Sequence, residues 1–124
     1  MKKRSSLSSA EKDLAFLADI VSEHGDVVVF TQGMNLDIFL SDRLVKKAVT
    51  KCLESIAEAT KSLNPTLKSR HPDVNWKQIA GFRDFSAHHY WELDYVLVWD
   101  VVIQHLPRLI AAVTIELQRH ADEL

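Results

Sequence analysis

The sequence predicts an all-α fold, an antiparallel bundle of four to five helices, on three observations. Only three glycines and three prolines occur among 124 residues, and hairpin signals such as Asn-Gly are absent. Apolar residues recur three or four positions apart through most of the chain, the period of a helix with one face on a core. Serine, aspartate or asparagine, the residues that cap helices, stand at the head of most such runs. A chain of this length can bury one core but not two. The expected organisation is a basic, serine-rich, disordered stretch over residues 1–8 and a single helical domain over 9–122.

The first helix should begin near Ser8 or Ser9, with Ser9 capping and Glu11, Lys12 and Asp13 in the first turn. Leu14, Leu17, Val21, His24 and Val28 form one stripe along it. "VVVF" at 27–30 has a strand's composition, but the helical stripe runs through it and assigns it to the helix. Gly33 ends that helix, and Asn35 can cap a short turn through "LDIFL". Ser41 or Asp42 opens a second long helix, with Val45, Val49, Cys52, Ile56, Ala59 and Leu63 facing inward. "NPTLKSRHPD", with its two prolines, reads as the one real loop. Asp73 caps a third helix whose apolar side is Trp76, Ile79, Ala80 and Phe82. Asp94 caps a fourth, where "YVLVWDVVIQHL" is apolar nearly all round and calls for burial on more than one side, centrally or at a subunit interface. Pro107 should kink that helix or start a final one running to about Arg119.

Composition excludes several functions. A formal net charge of −2 supplies no global field for nucleic acid, so any RNA contact must be local. Lys46, Lys47 and Lys51 form one basic group, more simply a solvated helix face; Lys61, Lys68 and Arg70 form another. Cys52 is the only cysteine, which rules out a disulfide framework or a cysteine zinc cluster and suits a small buried hydrophobe. Charged residues follow the basic N-terminus too soon for a signal peptide, and no run is expected to reach the length of a membrane span. The expected location is cytoplasmic, with no membrane contact.

The chemistry concentrates in "FRDFSAHHYWELD", residues 82–94. Histidine moves protons near neutral pH, and arginine stays charged and grips phosphate oxygens. Together they suit a metal-free attack by a ribose 2′-hydroxyl on its neighbouring phosphate. His88 would handle a proton, Arg83 would stabilise the transition state, and Asp84 or Ser86 would orient the imidazole or the sugar. Carboxylates do not converge with histidines here as a metal nuclease requires, so neither a metal nor a cofactor is implied. On a straight helix Arg83 and His88 point about 140° apart. They meet only if the helix ends or distorts near His88, or if a second copy supplies part of the site. From these residues alone a second reading stays open: a polar helix end, with Arg83 paired to Asp84 or Asp94 and Tyr90 and Trp91 at the edge of the core.

"IAGFRDFSAHHYWELDYVLVWDVVIQHLPRL", residues 79–109, resembles the signature region of HepT-like toxins of the HEPN superfamily. Their Arg-x4-His-x-Tyr motif falls on Arg83, His88 and Tyr90, the following Asp-x4-Trp on Asp94 and Trp99, and a final Leu-Pro on Leu106 and Pro107. The likeness extends over about residues 12–115. It implies a HEPN-like homodimer whose two motifs face each other and form a metal-independent endoribonuclease site. It also implies the toxin half of a type VII-like toxin–antitoxin system, with a minimal nucleotidyltransferase as antitoxin that places AMP on Tyr90. The residue after the motif arginine is commonly asparagine in this family, and here it is Asp84. A carboxylate at that position either partly neutralises Arg83 or positions His88, which leaves room for a catalytically silent binding module that docks the nucleotidyltransferase or a nucleotide.

Overall fold

A computed structural model describes residues 7–89 and 94–123, the side chains of 83–89 excepted. In chain order the helices are α1 (Ser9–Thr31), α2 (Leu36–Ser41), α3 (Arg43–Ser62), α4 (Pro65–Ser69), α5 (Trp76–His89), α6 (Tyr95–Asp100) and α7 (Leu106–Asp122), with a π-helical segment, Val101–His105, joining α6 to α7. No strand occurs among the described residues. The expected all-α bundle is what forms. Its long rods are α1, α3, α5 and the run from α6 to α7. The stretch expected to be disordered, 1–8, lies outside the described residues apart from Leu7 and Ser8.

Capping chemistry sets most boundaries. Ser8, not Ser9, caps α1: its Oγ accepts from Glu11 N at 3.1 Å, and Ser8 N donates to Glu11 Oε1 at 3.4 Å. That reciprocal pair needs an acid three residues after the cap, and from Ser9 the third residue is Lys12. The valine run stays helical to Thr31, and Gly33 adopts the left-handed φ of 75° that lets the chain turn. Asn35 and Asp42 cap α2 and α3 as expected, accepting from Ile38 N at 2.9 Å and Val45 N at 3.0 Å. The expected loop at 64–73 instead holds a turn of helix. Asn64 caps α4 through Thr66 N at 2.8 Å, and Pro65 occupies the first turn, where its missing N–H is harmless. At the head of α5 it is Asn75, not Asp73, whose Oδ1 accepts from Gln78 N at 3.1 Å. Asp94 caps α6 through Val96 N at 2.9 Å and Leu97 N at 3.3 Å.

Long-range contacts fix the directions of the rods. Asn64, past the end of α3, donates its N–H to Asp13 Oδ1 near the start of α1 at 3.0 Å, so these helices run antiparallel. Glu116 near the end of α7 meets Arg70 and His71 at that same end of the bundle. At the other end Trp99 packs on Phe39 with ring centroids 5.0 Å apart, and Lys46 lies 4.8 Å from the centre of the Tyr95 ring. Helix α3 packs between α1 and α5, and α1 between α3 and α7. The core is Leu17, Ile20 and Val27 of α1, Val49, Leu53 and Ile56 of α3, and Leu106, Leu109 and Val113 of α7, among others.

Two expectations need correcting here. Of the stripe read for α1 only Leu17 is buried; Leu14, Val21 and Val28 are exposed, and the inward face is Asp13, Leu17, Ile20 and Val27. The helix is apolar on two sides, and periodicity does not say which side meets its own core. The run Tyr95–Asp122 does reach the length and composition of a membrane span, with mean hydropathy 1.5. Its apolar residues form part of the core, and it also buries a charged Glu116. Pro107 stands in the first turn of the final helix α7, as expected. The π register before it, with Leu106 N donating to Val101 O five residues back, accommodates a residue with no N–H to give.

Candidate functional site

Every candidate catalytic or supporting residue lies on one element. Arg83, Asp84, Ser86 and His88 all fall within α5. The side chains of Arg83, Asp84, Ser86 and His88 lie outside the described residues, as does Tyr90 altogether.

The surroundings are built from the bottom up. The short α6 begins at Tyr95 because Asp94 satisfies two of its free N–H groups. This anchors the chain where it returns from the motif. Helix α3 packs against α5, and its first turns carry Arg43, Lys46 and Lys47. Lys46 rests over the Tyr95 ring, whose electron-rich face attracts the ammonium. Trp99, of the Asp-x4-Trp segment, packs on Phe39 at the same end. Between α5 and α6 opens a slot of about 160 Å³ lined by Gln78, Gly81, Phe82, Leu97 and Val101.

The other basic candidates are committed elsewhere. Lys51 pairs with Glu54 at 3.8 Å, and Lys68 Nζ donates to the Thr60 carbonyl at 3.2 Å. Arg70 is turned inward: its Nη2 and Nε donate to the two Glu116 carboxylate oxygens at 2.5 and 3.3 Å. It belongs to the structure at the far end of the bundle and not to a surface for RNA.

That Glu116 cluster was missed by sequence reasoning. Glu116 is fully buried, with His71 Nε2 at 2.6 Å and Arg119 Nε at 3.6 Å. Burial alone would raise its carboxyl; the hydrogen bonds from Arg70 and His71 outweigh this and hold it down to about 2. A signal was present, because Glu116 follows Leu109, Ala112 and Val113 at the three-or-four spacing of the inward face. Cys52 is buried as expected, but Glu23 and Asp26 place oxygens within 4.8 Å of one another and of its sulfur. Burial, then the neighbouring Glu23 carboxylate, push the thiol up to about 12, so it keeps its proton at neutral pH.

Comparison with known proteins agrees with the family resemblance. The profile of a family described as "Ribonuclease HepT-like" matches residues 17–114. A protein of Methanocaldococcus jannaschii is 42% identical over 98 residues, covering 78% of this chain and 81% of its own. A second from that organism is 34% identical over 95 residues, covering 77% and 87%. The names of both assign them, provisionally, as RNases. A protein of Thermococcus cleftensis named "Probable ribonuclease HepT" is 32% identical over 94 residues, covering 76% and 86%. No solved structure gives a significant match. With the profile spanning well over half its length and α5 lying wholly inside the match, this chain belongs to the HepT-like ribonuclease family.

Proposed function

We propose that the protein is a metal-independent endoribonuclease, the cytoplasmic toxin of a toxin–antitoxin pair, with Arg83 and His88 as its catalytic residues. The observation that carries this reading is the Arg-x4-His-x-Tyr sequence that begins on α5, inside the matched region. His88 removes the proton of a ribose 2′-hydroxyl, whose oxygen attacks the adjacent phosphorus. The 5′-oxygen leaves and takes up a proton, giving a 2′,3′-cyclic phosphate and a 5′-hydroxyl. Arg83 donates to the phosphate oxygens as charge gathers on them. Asp84 or Ser86 orients the imidazole or the sugar.

The site is composite, built where two copies of the chain meet. Val96 and Ile103, exposed on the chain that follows the motif, and the exposed row Leu14, Val21 and Val28 of α1 support a subunit contact, since a lone chain leaves them wet. Control comes from a nucleotidyltransferase partner. The Tyr90 phenol oxygen attacks the α-phosphorus of a nucleoside triphosphate, pyrophosphate leaves, and the phenol proton passes to a base of the transferase. The AMP group then sets bulk and negative charge where an anionic backbone must bind.

A purified His88→Ala protein should lose RNA cleavage and growth inhibition while keeping its helical spectrum and dimer mass. Unchanged toxicity in that variant would favour the second reading, a silent module that docks the transferase or a nucleotide, for which Asp84 beside Arg83 is the specific support.

A further inference from the structure

The first two turns of α3 carry a charge pattern that the fold does not ask for. Lys46 and Lys47 stand three and four positions after Arg43, so the three cations are neighbours on one side of the helix, about 5–6 Å apart at Cβ. Arg43 is the first helical residue, where free N–H groups already make the helix end positive, and no acid occupies that first turn. The cap, Asp42, is engaged with Val45 N. Among the described residues no carboxylate lies within ion-pair distance of Arg43, Lys46 or Lys47, whereas Lys51 on the same helix has Glu54 at 3.8 Å. Like charges at this spacing weaken a helix. Stability of α3 does not account for them.

From this we infer that Arg43, Lys46 and Lys47 bind the phosphate backbone of the RNA strand beside the nucleotide that is cut. The inference rests on the ribonuclease reading and gives that site a binding surface which the reading leaves open. Charge complementarity selects the occupant. A chain of net charge −2 has no global field for an anionic strand, so the strand needs a local row of cations without acids of their own. Arg43 and Lys47 are exposed, and Lys46 is half-buried. Their donors meet phosphate oxygens whatever the base, so they position a strand and do not read its sequence. Lys46 also ties the patch to the chain that returns from the motif. Its ammonium lies 4.8 Å from the centre of the Tyr95 ring, and Tyr95 follows His88 by seven residues. Seven residues span at most about 25 Å, a distance that a few nucleotides of single strand cover. That tether favours RNA over an acidic protein as the partner of these cations.

The test measures binding and cleavage separately. Binding of a short labelled single-stranded RNA is followed by anisotropy across a salt series in a His88→Ala background, which keeps the strand intact. Arg43→Gln combined with Lys47→Gln should weaken binding about tenfold at low salt. It should also flatten the slope of log affinity against log salt by about 1.4, from two lost phosphate contacts at about 0.7 each. Lys51→Gln, the same kind of charge change on the same helix outside the patch, should alter neither. The urea midpoint of the double variant should equal or exceed that of its parent; a lower midpoint gives the cations a structural role and overturns the inference. With His88 restored, the double variant should raise KM and leave kcat unchanged. Unchanged affinity and slope in the double variant, or an equal loss in Lys51→Gln, overturns the patch even if the wild type cleaves RNA and the nuclease reading stands. Loss confined to the double variant of a protein that cleaves no RNA upholds the patch and overturns the nuclease reading. An oligoglutamate peptide that displaces the RNA as well as unlabelled RNA of equal charge does assigns the patch to an acidic protein partner and overturns the inference.

Discussion

Replacing Glu116 with glutamine removes one charge from the centre of the cluster formed with Arg70 and His71 and keeps the shape. The magnitude follows from the geometry. The carboxylate accepts three charge-assisted hydrogen bonds, at 2.5, 2.6 and 3.3 Å, from a position with no exposure to water. Its carboxyl is held at about 2 against an ordinary 4.5. That difference corresponds to about 3 kcal/mol of stability at neutral pH. Because the folded value is depressed, the contribution is complete above pH 4.5 and is lost as pH falls from there towards 2. Urea unfolding followed by far-ultraviolet circular dichroism, at one fixed protein concentration, measures it. Glu116→Gln should be less stable at pH 7 by about 3 kcal/mol, with the gap narrowing between pH 4.5 and pH 3. RNA cleavage per folded molecule should be unchanged, since the cluster shares no residue with the Arg83 and His88 motif of the proposed site. A variant within about 0.5 kcal/mol of the wild type at pH 7, or a gap that does not narrow in acid, would refute the reasoning.

If the site is shared between subunits, mixing Arg83→Ala and His88→Ala proteins should regain part of the cleavage that each has lost. Mixed dimers that form by mass and stay inactive would place both groups on one chain. Co-produced with the proposed nucleotidyltransferase partner, Tyr90→Phe should remain toxic and gain no AMP by intact mass, whereas the wild type should gain it; a modified Tyr90→Phe protein would move the acceptor elsewhere.

Much of the fold was legible because capping is local. Asn35, Asp42 and Asp94 announce their helices by residue type and position alone, and the structure uses each as read. Where two cap residues compete, the third residue onward decides, as Glu11 does for Ser8. The failures share a different cause. The inward face of α1, the inward turn of Arg70 and the burial of Glu116 all depend on which rods become neighbours, and no short window of sequence contains that. Pro65 looked like a loop signal because proline breaks a helix everywhere except in its first turn, where it sits. For the candidate site, residue types and spacing named Arg83, Asp84, Ser86 and His88, the family resemblance added Tyr90, and the structure places the first four on α5.

One measurement bears most directly on the chemistry: the ends left on RNA cut by the purified protein in excess chelator. The expected result is undiminished cleavage giving 2′,3′-cyclic phosphate and 5′-hydroxyl ends, absent from a His88→Ala preparation of equal helicity. Cleavage that stops with the chelator, or that leaves 5′-phosphate and 3′-hydroxyl ends, would contradict an attack by the ribose driven by a histidine and an arginine alone.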